Sequence, residues 1–164
     1  MAISITESQG TTATLVATTV TTTAAADILT AIAGGKSIGC VQNLGDITTS
    51  RAVQEYKCLS SDEVAKSLGS ISLPSITMDL LFSAADALGQ ADLRSMYSTN
   101  TRRKLILALN DKPAGTLTNP TYITFEVGVS TDGVAIALDT AVMAKSVLEI
   151  CSKPIMILAA VTTP

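Results

Sequence analysis

"SITMDLLFSAADALGQADLRSMYSTNTRRKLILALND", residues 75–111, decides the architecture. Its first part alternates. Ile76, Met78, Leu80 and Phe82 fall on one face, and Ser75, Thr77 and Asp79 on the other. A period of two is that of a strand with one buried side. The period then changes. Leu93, Met96 and Tyr97 stand at i, i+3 and i+4, so residues 90–97 are expected to form a helix that lays one apolar stripe on a sheet. Those three side chains are its expected core anchors. Leu105, Leu107 and Leu109 restore the strand period.

Downstream, "TYITFEVGVSTDGVAIALD" (residues 121–139) reads as a hairpin. Ile123, Phe125, Val127 and Val129 share a face, Thr131-Asp132-Gly133 supplies turn chemistry, and Val134, Ile136 and Leu138 resume the face. "KPAGTLTNP" (112–120) before it reads as a loop. "SVLEICSKPIMILAAV" (146–161) gives a last strand or two, broken near Lys153-Pro154.

Upstream the signals are less regular. In "NLGDITTSRAVQEYKCLSSDEVAKSLGS" (43–70), Arg51, Val53, Glu55 and Lys57 alternate with Ala52, Gln54, Tyr56 and Cys58, and both faces are mixed. Such a strand is an edge, or meets water on one side and another subunit on the other. Ser60 and Glu63 fit a capping box, with Val64 and Leu68 as one stripe and Gly69 as a stop, so a short helix is expected there. Residues 36–46 read as a loop. Ile28, Leu29 and Ile32 give a short helix ended by Gly34-Gly35, and the Thr-rich run 14–23 a strand with one wet face. Together these point to a mainly β fold, an antiparallel β-sandwich or barrel with one flanking α-helix, in a single domain over residues 1–164.

Composition narrows the function. Apolar residues are 47% and charged ones 15%, against about 25% charged in average chains. Such a surface is short of polar cover, which suggests burial against other copies or partners. The net charge is −3, so a nucleic-acid footprint is not expected; Arg102, Arg103 and Lys104 read as a solvated strand end. Cys40, Cys58 and Cys151 are widely spaced and odd in number, which does not suggest a disulfide framework. No basic and apolar leader opens "MAISITESQG", and no apolar run approaches the ~18 residues of a membrane span.

Catalytic chemistry finds little footing. The chain has no histidine, which removes the commonest general base, the Ser-His-Asp and Cys-His arrangements and the HExxH zinc motif. "STDGVA" offers one Asp in a turn, too little for a calcium loop. Gly34-Gly35-Lys36 fails as a phosphate loop, because Thr30 stands where its first glycine belongs. With no Trp and five other aromatics, neither a sugar platform nor a stacking surface for single strands is supported. The expectation is a non-enzymatic, self-assembling structural protein with no cofactor and no metal.

The order of these elements resembles the tail tube proteins of long-tailed bacteriophages, which share a fold with the tubes of contractile injection systems. The resemblance is carried by residues 43–63, 75–111 and 121–139 and covers roughly residues 39–150. It implies a virion protein, made in the host cytoplasm, that forms hexameric rings stacked into a hollow tube. Strands of six subunits would close an inter-subunit β-barrel. DNA would pass the lumen without specific binding and without membrane insertion. A tail initiator or tip, a tape measure and a terminator protein would be its partners. Residues 1–12 would be an N-terminal arm and residues 36–46 an inter-subunit loop, both serving ring-to-ring contacts. Glu55, Asp79 and Glu126 are candidate lumen-facing acids, since like charge keeps phosphate from sticking. The alternatives are a capsid decoration or tail-completion protein forming a closed ring or trimer, a secreted adhesin or pilin-like subunit, and an enzyme with an all-carboxylate site.

Overall fold

A computed structural model describes residues 7–57, 64–83, 86, 88–111, 119–136 and 141–159. In chain order these hold β1 (Glu7–Val16), α1 (Ala25–Ala33), β2 (Lys36–Ile38), β3 (Val41–Leu44), β4 (Ser50–Lys57), β5 (Val64–Ser72), β6 (Ser75–Leu81), α2 (Gly89–Thr99), β7 (Arg103–Asn110), β8 (Tyr122–Ala135), β9 (Met143–Ile150) and β10 (Ile155–Ile157). The main sheet runs β2-β1-β7-β8-β9-β6-β3, with β10 also on β8, and every pairing is antiparallel. β4 and β5 form a separate two-stranded sheet.

β2 and β3 are the two ends of that strand order, yet only Gly39 and Cys40 separate them in sequence. The sheet must therefore curl until its ends come near each other, as a barrel left open between β2 and β3, which no pairing joins among the described residues. Cys40 turns the corner at φ 58°, and its carbonyl accepts from the Leu81 N–H at 2.9 Å.

The curled sheet has two apolar sides. Inside lie Leu15 of β1, Ile76, Met78 and Leu80 of β6, Leu105 and Leu107 of β7, Phe125 and Val127 of β8, and Leu148 of β9. Leu93 and Met96 of α2 close this cluster, each 1% exposed. On the opposite face Val16, Ile106 and Tyr122 pack with Ile28 and Ala31 of α1. The central strands are thus covered on both faces, which explains why "LIL" in β7 breaks strict alternation: all three side chains are buried. α2 comes close enough to β2 that a Cβ on Gly89 would stand 2.5 Å from the Ile38 Cα, so only glycine fits that position.

Several expectations are corrected. Two helices flank the sheet, not one, because the β1–β7–β8 centre needs cover on both sides. Residues 36–46 are not a loop: β2 and β3 occupy most of them. Residues 7–12, assigned to the arm, belong to β1 and extend along β7 as far as Asn110; residues 1–6 lie outside the described residues. The Thr-rich run is a strand only to Val16, and the rest leads to α1, with Thr22 buried under β8. Val64 and Leu68 lie on a strand, not a helix; Ser60 and Glu63 of the capping box, and Cys58, are outside the described residues. Ser67, Gly69 and Ser70 are weak helix formers, and pairing with β4 wins. Thr131-Asp132-Gly133 make no turn. They continue β8 opposite Val147, Ser146 and Lys145 of β9, just after a bulge past Val129.

Candidate assembly surface

The β4–β5 ribbon is the least supported part of the fold. Val53 faces Leu68, Glu55 faces Lys66 and Lys57 faces Val64 on one side. Gln54 faces Ser67 and Tyr56 faces Ala65 on the other. Glu55 and Lys66 form an ion pair at 2.8 Å, and the Tyr56 hydroxyl donates to Gln54 Oε1 at 2.5 Å. All residues of both strands are exposed except Gly69, which is half-buried, and none joins either core cluster. Leu68 is 66% exposed. A lone two-stranded ribbon is marginal in water. Two wet faces carrying Val53, Tyr56, Val64 and Leu68 therefore form a surface that a neighbour would stabilise. Further exposed apolar side chains stand at Ile136 (81% exposed), Met156 and Leu158.

The three candidate acids lie on three elements and do not converge. Glu55 is on the ribbon, paired with Lys66. Asp79 points away from the Met78 and Leu80 side of β6; it accepts from Asn43 Nδ2 at 3.4 Å and lies beside Lys145. Glu126 is half-buried on β8 opposite Lys104 of β7, in a depression of about 360 Å³ walled by Thr19–Thr23, Ser152 and Lys153.

On α2 the anchors divide. Leu93 and Met96 are buried, whereas Tyr97 is 53% exposed and is not a core anchor. The buried arc of the helix runs through Gly89, Asp92, Leu93 and Met96, and Tyr97 falls off its edge. Polar residues complete the anchorage, and an apolar search passes over them. Asp92 holds Lys36 of β2 at 2.6 Å and Arg103 of β7 at 3.3 Å. Gln90 Nε2 donates to the Leu81 carbonyl at 2.9 Å, and Gln90 Oε1 accepts from the Ser83 N–H at 3.1 Å. Asp86 accepts from the N–H groups of Gly89 (2.8 Å), Gly39 (3.1 Å), Leu88 (3.2 Å) and Gln90 (3.3 Å). Burial pushes the Asp86 carboxyl up, but the four donors outweigh it and hold its pKa below the ordinary value. One aspartate thus caps α2 and pins the corner where the barrel's ends come near each other. The signal in the sequence was an aspartate just ahead of the helical run, whose carboxylate can accept from N–H groups two to four residues on, as Asp86 does from Leu88, Gly89 and Gln90.

Among the described residues no cluster of three or more metal-ligating side chains occurs, and no helix is long and apolar enough to cross a membrane.

No family model matches the chain, and no curated protein matches it. Solved structures do. The chain is similar to the SPP1 tail tube protein, with a TM-score of 0.63 at 12% identity over 93% of this chain and 78% of that one. It is similar to a chain of the tail of an empty GTA particle treated with C6 symmetry, with a TM-score of 0.57 at 12% identity over 75% and 86%. A third match comes from the sheath/tube terminator of the extracellular contractile injection system PVC, with a TM-score of 0.63 at 12% identity over 89% and 91%. The fold is the tail-tube fold.

Proposed function

We propose that this chain, built on the tail-tube fold, is a structural virion protein that polymerises into the tail tube of a bacteriophage. Copies form hexameric rings, and the rings stack into a hollow conduit through which DNA leaves the particle. The observation that carries this reading is the β4–β5 ribbon, whose two exposed faces hold Val53, Tyr56, Val64 and Leu68 and share neither core. A monomer gains nothing from that ribbon, whereas a wall of repeated subunits would cover it. Six-fold symmetry comes from the similar GTA tail. Strands of neighbouring subunits would then complete an inter-subunit barrel with no open edge.

In this reading the net charge of −3 suits a lumen that lets phosphate slide. At least one of Glu55, Asp79 and Glu126 faces the channel. A tip, a tape measure and a terminator protein start, gauge and close the tube. The protein acts in the virion after synthesis in the host cytoplasm, and its role is structural, not enzymatic.

Negative-stain electron microscopy of the purified protein at high concentration tests the reading. Hollow filaments of stacked rings are expected. A species that stays monomeric or trimeric at every concentration, with and without a tip complex as seed, would sink it.

A further inference from the structure

The gap left in the barrel beside β3 is an apolar mouth. A cavity of about 680 Å³ lies there, lined among others by Val41 and Leu44 of β3, Leu107 of β7 and Ile123 of β8, with Asp46 as its one ionisable residue. Cross-strand partners share a face, so Ala13, Leu107, Ile123 and Met156 form one row across β1, β7, β8 and β10. The row is buried at Ala13 and Leu107, half-buried at Ile123 and 59% exposed at Met156. The apolar floor of the mouth thus runs out into solvent, and no core side chain covers its outer end. Asp46 is exposed and forms no ion pair among the described residues.

The β4–β5 ribbon carries a matching face. Val53 and Leu68 stand opposite each other, and four residues along the same side Lys57 stands opposite Val64. Between these pairs Glu55 and Lys66 neutralise each other at 2.8 Å. Lys57 forms no ion pair among the described residues. The ribbon face therefore offers three exposed apolar side chains and one cation, and the mouth an apolar floor and one carboxylate. In its own chain the ribbon does not cover the mouth. It joins neither core cluster, although only residues 45–49 separate β3 from β4.

We infer that the ribbon of one copy lays its Val53–Leu68 face in the mouth of a second copy, with Lys57 against Asp46. Ribbon and mouth are different surfaces of one chain. Each contact leaves one ribbon and one mouth unused, so copies add head to tail and close as a ring or run on as a filament. The inference deepens the tube reading by naming the surface that covers the ribbon, and it rests on that reading only in requiring that copies associate.

Photo-cross-linking of the full-length protein tests it. Benzoylphenylalanine replaces Leu68, or Ser67 on the ribbon's other side, unlabelled and isotope-labelled protein are mixed before assembly, and the cross-linked peptides are identified. Position 68 is expected to link to peptides holding Leu44, Ile123 or Met156, in pairs of mixed label; position 67 is not. Links confined to one chain, links to another surface, or no links from position 68 would each overturn the inference. In parallel, Lys57→Glu and Asp46→Lys are each expected to raise the protein concentration needed for assembly about fivefold, read by sedimentation, and the double reversal to restore it. A double variant that assembles no better than the single ones would also overturn it. Filaments whose links lie elsewhere remove the inference and leave the tube reading standing; ribbon-to-mouth links in closed rings that never stack do the reverse.

Discussion

At Asp86 one carboxylate accepts from four backbone N–H groups drawn from two elements, the start of α2 and the corner at Gly39. Asp86→Ala is expected to cost about 1 kcal/mol at neutral pH, as the loss of a helix cap does. The pH dependence follows from the lowered pKa. A carboxyl whose folded pKa lies below its unfolded value stabilises fully above the unfolded value, about 3.9, and loses that contribution as pH falls through the folded one. Urea midpoints of wild type and Asp86→Ala should therefore stay a constant distance apart from neutral pH down to about pH 4 and converge below it. A gap that closes already near neutrality would mean that another group carries the effect. Asp92 is a different kind of contact. It is buried and holds two cations, of which Lys36 and Arg103 are each partly exposed, so its worth lies in fixing α2 against β2 and β7 more than in raw stability.

At the scale of elements, α2 and the β4–β5 ribbon make opposite predictions. Leu93→Ala should cost about 2–5 kcal/mol, because the side chain fills the barrel interior, while Tyr97→Ala should cost under about 0.5 kcal/mol. Thermal or urea unfolding of the two variants checks both. Leu68→Asp should leave monomer stability within about 0.5 kcal/mol and stop assembly, read by unfolding and by sedimentation. The same contrast shows what the sequence could reveal. β6, α2 and β7 were legible because each has one buried face and one regular period. The ribbon's fate was not, because Val64 and Leu68 stand four apart and satisfy a helix as readily as a strand; cross-strand partners on β4 decide it. Asp132-Gly133 carries turn chemistry, yet nothing local says that β9 will pair straight across it. β2 and β3 have only three and four residues, too short for a period to show, and their pairing with β1 and β6 comes from distant parts of the chain. Of the helix anchors, Leu93 and Met96 are buried and Tyr97 is not; Gln90 and Asp92 were missed because polar residues do not announce a buried arc.

Across the whole molecule, two kinds of surface stand side by side. One is a barrel with cores on both faces of its central strands. The other is a ribbon that shares nothing with those cores. In the proposed tube, that separation would let a subunit fold before it meets a neighbour and leave assembly to parts outside both cores. The ribbon has a consequence in time. Because folding of the barrel does not protect it, its amide protons should exchange with solvent in a free subunit about as fast as an open loop, and become slow only when a neighbour covers it. Pulse-labelled hydrogen exchange followed by mass spectrometry would then date the contact, with peptides from β7 and β8 protected from the start and those from β4 and β5 acquiring protection at the rate of polymerisation. A ribbon already protected in the dilute monomer would contradict this. The chain would otherwise carry a clock for its own assembly, started by no label and read from residues 50–57 and 64–72.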